Sequence, residues 1–307
     1  MRAAATATVP WYRQPYHRAR LKGLAFTSPW LLGFLLFTVY PVGASLYYSF
    51  TEFTGIGTAR WVGFANYVTM VARDEVFWLS FYNTMYYLSL AVPIGFVIGL
   101  GLALLLNTRL REVSVYRTAV YLPYIIPAFA ASFIWLWVLN PQFGLLNLLL
   151  DRLGIFGPGW IADPVWSKPS IVMMAQWGAG GSAVIFLAAL QDVPRDLYEA
   201  AELDGATPWH QFRAVTLPMI SPVILFHIIM ALFQGFQVFT PAYIMTSGGP
   251  ANSTLFYVLY LYRNAFQYGK MGYASAMAWV LFLVALVAAL AVLRTSARWV
   301  YYQGEQR

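Results

Sequence analysis

Long uncharged, apolar segments alternate with short charged segments along most of this chain. Between Lys22 and Glu52 there is no Asp, Glu, Lys or Arg, and this run exceeds the roughly 20 residues that a helix needs to cross a bilayer. It is also longer than the apolar region of a signal peptide, about 7–15 residues, so it predicts a retained span. Five further runs follow. Together they predict six transmembrane helices near residues 24–48, 80–106, 118–139, 169–190, 219–245 and 273–294.

The fifth uncharged run is nearly long enough to cross a membrane twice, but a turn signal interrupts it. Ser247-Gly248-Gly249-Pro250 is typical of a turn. The segment after it, residues 255–268, contains Arg263. We therefore predict an interfacial helix there and not a seventh span.

The composition supports a membrane protein. Hydrophobic residues make up 60% of the chain and charged residues 10%, whereas a soluble domain carries about 25% charged residues. The formal net charge of +7 is compatible with a nucleic-acid partner, but the charges cluster between the apolar runs, as in the loops of a membrane bundle. The chain contains no cysteine, which excludes disulfides and thiolate metal sites. We predict an all-α integral membrane fold with the lipid bilayer, and no nucleic acid, as a partner.

The distribution of basic residues predicts the orientation. When the 19 Lys and Arg residues are assigned to alternate sides of six spans, most fall on the side that holds both termini. That side is expected to be cytoplasmic. The predicted organisation is a basic cytoplasmic tail at 1–22, a six-span domain at 23–300 with a cytoplasmic loop at about 191–218, and a cytoplasmic tail at 301–307. This multi-pass topology is expected in a bacterial cytoplasmic (inner) membrane.

Apart from Arg294 at the very end of the sixth, the predicted spans contain no Asp, Glu, Lys or Arg, which bears on the source of energy. Transporters driven by protons or ions usually carry carboxylates or histidines inside the membrane. Only His227 lies in a span, and we expect it to be a structural residue with its hydrogen bonds satisfied. The chain is therefore predicted to be passive or to be driven by another protein.

The loop between the fourth and fifth predicted spans has strong helix-boundary signals. Residues 194–204 predict a short helix with proline and acidic residues in its first turn, and Gly205 stands where a left-handed cap is needed. Thr207 and Pro208 then predict the start of a second short helix over 207–215. Leu217-Pro218 is expected to turn the chain into the fifth span. An ordinary amphipathic loop helix is the alternative interpretation.

The motif formed by Glu199-Ala200-Ala201, Asp204-Gly205-Ala206 and Leu217-Pro218 resembles the EAA loop of ATP-binding-cassette (ABC) importer permeases. Other segments resemble the carbohydrate branch of that family, and in particular its maltose-permease F-like subunits. These segments are residues 62–67, Asn83-Thr84, Arg117 with Tyr121-Leu122-Pro123, residues 144–147 and residues 246–250.

The resemblance implies the type I ABC importer permease fold and a subunit that forms half of a pathway for a sugar, an oligosaccharide in particular. It implies a second permease as heterodimer partner, two copies of an ABC ATPase and an extracytoplasmic sugar-binding protein. Residues implied to couple to the ATPase are Glu199, Ala200, Ala201, Asp204, Gly205 and Pro218. The chain has no phosphate-binding loop of the Gly-x4-Gly-Lys-Ser/Thr type, so ATP and Mg²⁺ are assigned to the partner ATPase, and this chain is not predicted to be an enzyme.

Sugars bind to aromatic faces flanked by hydrogen-bonding side chains, in cavities near the bilayer midplane. The candidate pathway residues are Gln234, Gln237, Tyr243, Asn83, Tyr87 and Trp177. Gln234 and Gln237 are three residues apart and are predicted to share a helix face. The alternative is that these amides bond neighbouring helices to each other, and that the glycines after Trp177 permit close packing.

Other functions remain as alternatives. A self-contained channel or secondary carrier for a small polar solute gives the EAA-like loop no role, and a glycerol-phosphate importer would differ little in its motifs. A membrane-embedded enzyme needs a cluster of catalytic or metal-binding groups, and His17, His210 and His227 are too scattered to form one. No catalytic residue or metal site is predicted.

Overall fold

The computed structural model describes residues 15–108 and 112–302, without the side chains of residues 15–21, and these residues are mostly helical. Residues 1–14 of the predicted N-terminal tail, residues 109–111 and residues 303–307 of the predicted C-terminal tail lie outside this description.

The first span is one long helix with a wide turn in its middle. Helix α1 (Pro15–Phe34) leads through a π-helical turn at Leu35–Val39 into α2 (Tyr40–Ser49). In the wide turn the Tyr40 N–H bonds to the Leu35 oxygen, so the helix continues although Pro41 has no N–H to donate. The resulting apolar helix, Lys22–Ser49, agrees with the prediction at 24–48.

A short connection follows, and then the longest helix of the chain. Strand β1 (Thr51–Glu52) pairs in antiparallel fashion with β2 (Arg60–Trp61), and α3 covers Ala65–Ala72. Helix α4 covers Glu75–Leu106, with Asp74 as its N-cap. It occupies the middle of the bundle, because it packs against the later helices at Ser167–Trp177, Gly180–Gln191 and Leu217–Phe236.

The third and fourth predicted spans are broken helices, which corrects the prediction of continuous ones. Helices α5 (Val113–Ile125) and α6 (Ala128–Val138) meet at 97°. Pro127 disfavours helical geometry at the residue before it, and Ile126 is accordingly extended, with φ −67° and ψ 124°. After α7 (Leu145–Arg152) and a 3₁₀ turn at Trp160–Ala162, helices α8 (Ser167–Trp177) and α9 (Gly180–Gln191) meet at 46°.

The fifth span differs from the prediction at both ends. Helix α10 (Arg195–Leu203) precedes α11 (Pro208–Gln211), which continues through a wide turn at Phe212–Thr216 into α12 (Leu217–Phe236). Leu217-Pro218 was expected to turn the chain, but the wide turn accommodates the missing N–H of Pro218, and the helix runs unbroken over Pro208–Phe236. The span ends at Phe236 and not at 245. A separate wide turn covers Ala242–Thr246.

The final part consists of α13 (Tyr257–Tyr262), a wide turn at Arg263–Gln267 and α14 (Met271–Ser296). The turn predicted at 247–250 is confirmed, and Ser247 is left-handed there, with φ +47°. The segment 255–268 is helical, as predicted, and it does not form a seventh span; Phe266, Gln267 and Tyr268 at its end are exposed. Its first residues, Leu255 to Tyr257, are fully buried because they face α4 and α14.

Among the described residues, four continuous helices and the two bent pairs are long and apolar enough to cross a membrane. If each bent pair is counted as one span, the total is six, as predicted.

Candidate functional site

The loop between α9 and α12 is bounded by well-formed caps. At the end of α10 the Ala206 N–H bonds to the Ala201 oxygen at 2.9 Å, and the Gly205 N–H bonds to the Glu202 oxygen at 3.0 Å. This pair of bonds is the Schellman motif, which needs a left-handed residue at the position of Gly205. Gly205 has φ +78°, so the predicted cap is confirmed.

The second helix of the loop also starts where the sequence indicates. The Thr207 hydroxyl accepts a hydrogen bond from the His210 N–H at 3.4 Å, and Pro208 is the first helical residue. Thr207 therefore caps a helix whose other end, Phe236, lies about 40 Å away at a rise of 1.5 Å per residue.

One face of α10 has no partner within the described chain. Glu199 and Ala200 are exposed, Asp204 and Gly205 are exposed at the turn, and Ala201 is half-buried. Two large apolar side chains next to them, Leu203 and Trp209, are 91% and 70% exposed. Small, acidic and large apolar groups on one exposed helical surface are suited to docking against another protein.

The opposite face of α10 is attached to the bundle. The Tyr198 hydroxyl lies 2.9 Å from the Thr216 hydroxyl, and Thr216 is buried at the base of α12. Val193, just before α10, is buried with Leu190 of α9 and Ile220 of α12. A force applied to the exposed face of α10 therefore acts directly on α12. Pro218 is half-buried in the first turn of α12 and is not part of the exposed face.

A cavity of about 440 Å³ lies beside the break between α8 and α9, where α4, α5 and α12 also converge. Its polar lining consists of hydroxyl, amide and imidazole side chains: Tyr87, Tyr124, Gln176, Ser182, His227 and Gln234. Neutral hydrogen-bonding groups of this kind suit an uncharged polyhydroxylated solute.

The glycines at the helix break have two different roles. A Cβ at Gly180 would overlap the backbone oxygen of Val120 in α5, so Gly180 permits close contact between helices. A Cβ at Gly181 would overlap the ring of Tyr124, and both residues line the cavity. The expectation of packing therefore holds for Gly180, whereas Gly181 also shapes the cavity wall.

His227 corrects an expectation. It was predicted to be a structural residue with satisfied hydrogen bonds, but its Nε2 atom is buried without a hydrogen-bond partner. The imidazole packs against the Phe186 ring, with ring centroids 4.9 Å apart, while the residue also lines the cavity. No signal in the sequence distinguishes this arrangement from a satisfied histidine, because the contacts come from α9 and α4.

The structure brings only some of the predicted pathway residues together. Gln234 and Tyr87 line the cavity. Gln237 lies just beyond the last residue of α12 and does not line the cavity, so the structure does not bring it together with Gln234 there. Tyr243 stacks on Phe239 outside the cavity, with ring centroids 5.2 Å apart.

Asn83 and Trp177 also lie outside the cavity lining. Asn83 is fully buried, donates to the backbone oxygens of Asn252 and Leu255 at 2.9 and 3.2 Å, and accepts from Lys168 at 3.1 Å. These bonds correspond to the interhelical role that was the alternative for the amides. Trp177 is half-buried against Trp135.

A second polar cluster is centred on Asp74, at the start of α4. One carboxylate oxygen accepts from the Phe77 N–H at 3.0 Å, and the other accepts from the hydroxyls of Tyr260 and Tyr273 at 2.7 and 2.5 Å. Burial, and after it the hydrogen bond to Asp74, raises the pKa of Tyr260 above its ordinary value. Asp74 thus ties α4, α13 and α14 together. No group of three or more His, Cys, Asp or Glu residues suited to a metal occurs in the described part of the chain.

Comparison with known proteins agrees with this geometry. Residues 91–307 match the family described as binding-protein-dependent transport system inner membrane component. The chain is 39% identical over 290 residues to the probable ABC transporter permease protein YesP of Bacillus subtilis, covering 93% of this chain and 94% of YesP. It is 34% identical over 278 residues to the sulfoquinovosyl glycerol transport system permease protein SmoG of Agrobacterium fabrum, covering 90% of each.

A solved structure has the same fold. A chain of a bacterial alginate ABC transporter, in complex with an alginate pentasaccharide-bound periplasmic protein, superposes with a TM-score of 0.82 at 26% identity. The match covers 94% of this chain and 98% of that one.

Proposed function

The chain belongs to the family of binding-protein-dependent transport system inner membrane components, and we propose that it forms half of the membrane pathway for a sugar, specifically an oligosaccharide. It is a permease subunit of an ABC transporter and is not itself an enzyme. The observation that carries the proposal is the unbroken helix Pro208–Phe236, which joins the exposed surface at Trp209 to the cavity at Gln234.

The cavity supports a sugar as the solute. Its polar groups are neutral donors and acceptors, and Tyr87 and Tyr124 supply aromatic faces. The cavity lining includes no Lys or Arg that would pair with a phosphate, which favours a sugar over a glycerol-phosphate. Two similar proteins are named for carbohydrate-containing solutes, a sulfoquinovosyl glycerol and an alginate.

The loop supports energy supply from a separate ATPase. In this proposal the exposed face of α10, with Glu199, Ala200, Asp204 and Gly205, docks on the ATPase, and Ala201 packs at its edge. The partner binds ATP and Mg²⁺, and its closing and opening move α12 through the Tyr198–Thr216 contact. Pro218 contributes by shaping the base of that helix.

The remaining partners follow from the same proposal. A second permease completes the pathway as a heterodimer, two ATPase copies bind to the loops, and an extracytoplasmic binding protein delivers the sugar. Phe26, Trp30 and Phe37 are exposed along the first span. We propose that lipid or the partner permease covers these side chains. We propose that both termini lie in the cytoplasm of a bacterium, because the side that holds them has the excess of basic residues.

Purification tests this assembly. The tagged chain is isolated from its native membrane in mild detergent, and its companions are identified by mass spectrometry. We expect a second permease of similar size and an ATPase with a phosphate-binding loop. A chain recovered alone that still passes solute into liposomes would instead support the channel or carrier alternative.

Cavity variants test the solute site in the purified complex. We expect Gln176→Ala with Gln234→Ala to raise the half-saturating sugar concentration in liposome uptake about tenfold, through the loss of roughly two hydrogen bonds. The matched control is Gln237→Ala, which removes an exposed glutamine near the same helix end. If the double variant takes up sugar with the same half-saturating concentration as the unmodified complex, the cavity does not bind the solute.

A further inference from the structure

A second polar cavity, of about 520 Å³, lies at the end of the bundle that carries α10. It is bordered by the two residues that follow α4, the second turn of α5, the end of α9 and the first residues of α10. Its polar side chains are Asn107, Thr108, Arg117, Gln191, Arg195 and Tyr198. This lining contains two guanidinium groups and no carboxylate.

The two arginines have no acidic partner within the described residues. The Nε of Arg117 is buried without a hydrogen-bond partner, and one of its terminal nitrogens makes a long bond of 3.3 Å to the Leu106 oxygen. Arg195 is the first residue of α10 and forms no salt bridge there; the single salt bridge in the described part of the chain joins Arg60 to Glu52.

Acidic residues close in sequence to these elements do not line the cavity. Asp192 and Asp196 are adjacent in sequence to the end of α9 and the start of α10, but both are exposed and neither lines the cavity. A buried guanidinium nitrogen without an acceptor is costly, because its removal from water is not compensated by a hydrogen bond. The cavity therefore lacks an anionic acceptor.

We propose that this cavity binds a phosphate group between Arg117 and Arg195. Phosphate oxygens accept from guanidinium groups in a bidentate manner, and the Asn107 amide, Thr108 hydroxyl and Gln191 amide can donate to the remaining oxygens. The cavity is placed where membrane-crossing helices end, with Leu190 and Val193 beside the polar groups. The phosphate belongs either to an anionic phospholipid headgroup in the leaflet or to a soluble phosphate.

Occupancy of the site would affect the loop next to it. Tyr198 lines this cavity and also contacts Thr216 at the base of α12, so a bound phosphate would bridge α4, α5 and α10 at the point where α10 is attached. This inference does not depend on the solute or on the ATPase, because it concerns binding to residues of this chain.

The test uses the complete complex purified from its membrane and two binding assays. In the first assay, the complex is mixed with phosphatidylcholine vesicles that contain either about 20% phosphatidylglycerol, to mimic an anionic leaflet, or none, and bound lipid is measured by mass spectrometry. In the second assay, inorganic phosphate is titrated and its protection of the complex against thermal unfolding is measured. The variants are Arg195→Gln alone and Arg117→Gln with Arg195→Gln.

The matched control is Arg298→Gln, which removes an exposed arginine that lines no part of this cavity and follows α14. A fall of about tenfold in bound phosphatidylglycerol in the Arg195 variant, but not in the control, supports a lipid headgroup. Protection by inorganic phosphate that is lost in the same variant supports a soluble source. The proposal is overturned if neither ligand binds, if the control loses as much binding, or if the arginines are occupied by an acidic side chain of the ATPase, as detected by cross-linking.

Discussion

The hydroxyls of Tyr198 and Thr216 lie 2.9 Å apart and join the loop helix α10 to the base of α12. Thr216 is buried, whereas the far side of α10 is exposed at Glu199 and Ala200. The contact therefore lies between a surface open to a partner and the helix that leads to the central cavity. It is a direct polar link between α10 and the base of α12.

Tyr198→Phe tests this link, because it removes the hydroxyl and keeps the ring. We expect sugar-dependent ATP hydrolysis and uptake to fall about fivefold, which corresponds to one hydrogen bond of about 1 kcal/mol. The measurement compares both rates in the reconstituted complex. Tyr116→Phe is the control, since Tyr116 is 54% exposed and its side chain forms no hydrogen bond with the residues that the structure describes. Equal loss in the two variants would show that the contact does not transmit motion.

The conformation of Gly205 supports a second prediction. Its φ is +78°, and a Cβ there would meet no atom within 4 Å, so only the backbone geometry penalises a side chain. We expect Gly205→Val to insert but to reduce uptake at least about tenfold, and Gly205→Asn to retain more activity, because asparagine tolerates the left-handed region. Uptake and membrane content are measured together.

Gly57→Val is the control for Gly205, because Gly57 is also left-handed, with φ +89°, and is also in open space, between β1 and β2. We expect it to leave coupling to the ATPase intact. If Gly57→Val abolishes ATP-driven uptake as strongly as Gly205→Val, the turn at Gly205 has no special part in coupling.

The loop was the part of the candidate site that sequence predicted best, because its signals are local. Gly205 determines the C-terminal cap of α10, and Thr207 followed by Pro208 determines the N-cap of α11; each depends on only a few neighbouring residues, and both caps are present. The end of the fifth span was predicted less well. Apolar residues continue past Phe236, so hydropathy alone does not predict that the helix ends there.

The cavity could be predicted only in part, since it depends on how distant elements meet. Nothing in the sequence distinguishes Gln234 from Gln237. The structure does, because α12 ends between them and only Gln234 lines the cavity. Asn83 is a plausible pathway residue from its sequence position alone. Its hydrogen-bond acceptors, the backbone oxygens of Asn252 and Leu255, are 169 and 172 residues away along the chain, so the sequence does not reveal them. The break at Pro127 was visible in the sequence as a proline, but its 97° angle was not.

The Asp74 cluster leads to a prediction about stability. Asp74→Asn keeps a capping oxygen for Phe77 but replaces an oxygen that accepts from Tyr260 and Tyr273. We expect the free energy of unfolding in detergent to fall by about 2 kcal/mol, the range for hydrogen bonds to a charged group. Asp151→Asn, at an exposed position of α7, is the control and should change stability by less than about 0.5 kcal/mol. A similar effect of both variants would mean that the two phenols do not depend on the carboxylate.

Gly180 and Gly178 form a natural pair for testing how the α8–α9 break is held against α5. A Cβ at Gly180 would overlap the Val120 oxygen and lie 3.1 Å from the Tyr121 Cα, and these are backbone atoms that move only if the helices separate. A Cβ at Gly178 would meet nothing closer than the Ala175 oxygen at 3.7 Å. We therefore expect Gly180→Ala to cost about 1–3 kcal/mol in thermal unfolding, as overpacking does, and to lower uptake, while Gly178→Ala remains close to the unmodified protein. Equal stability of the two variants would show that the close approach of α5 and α9 is not what requires glycine at position 180.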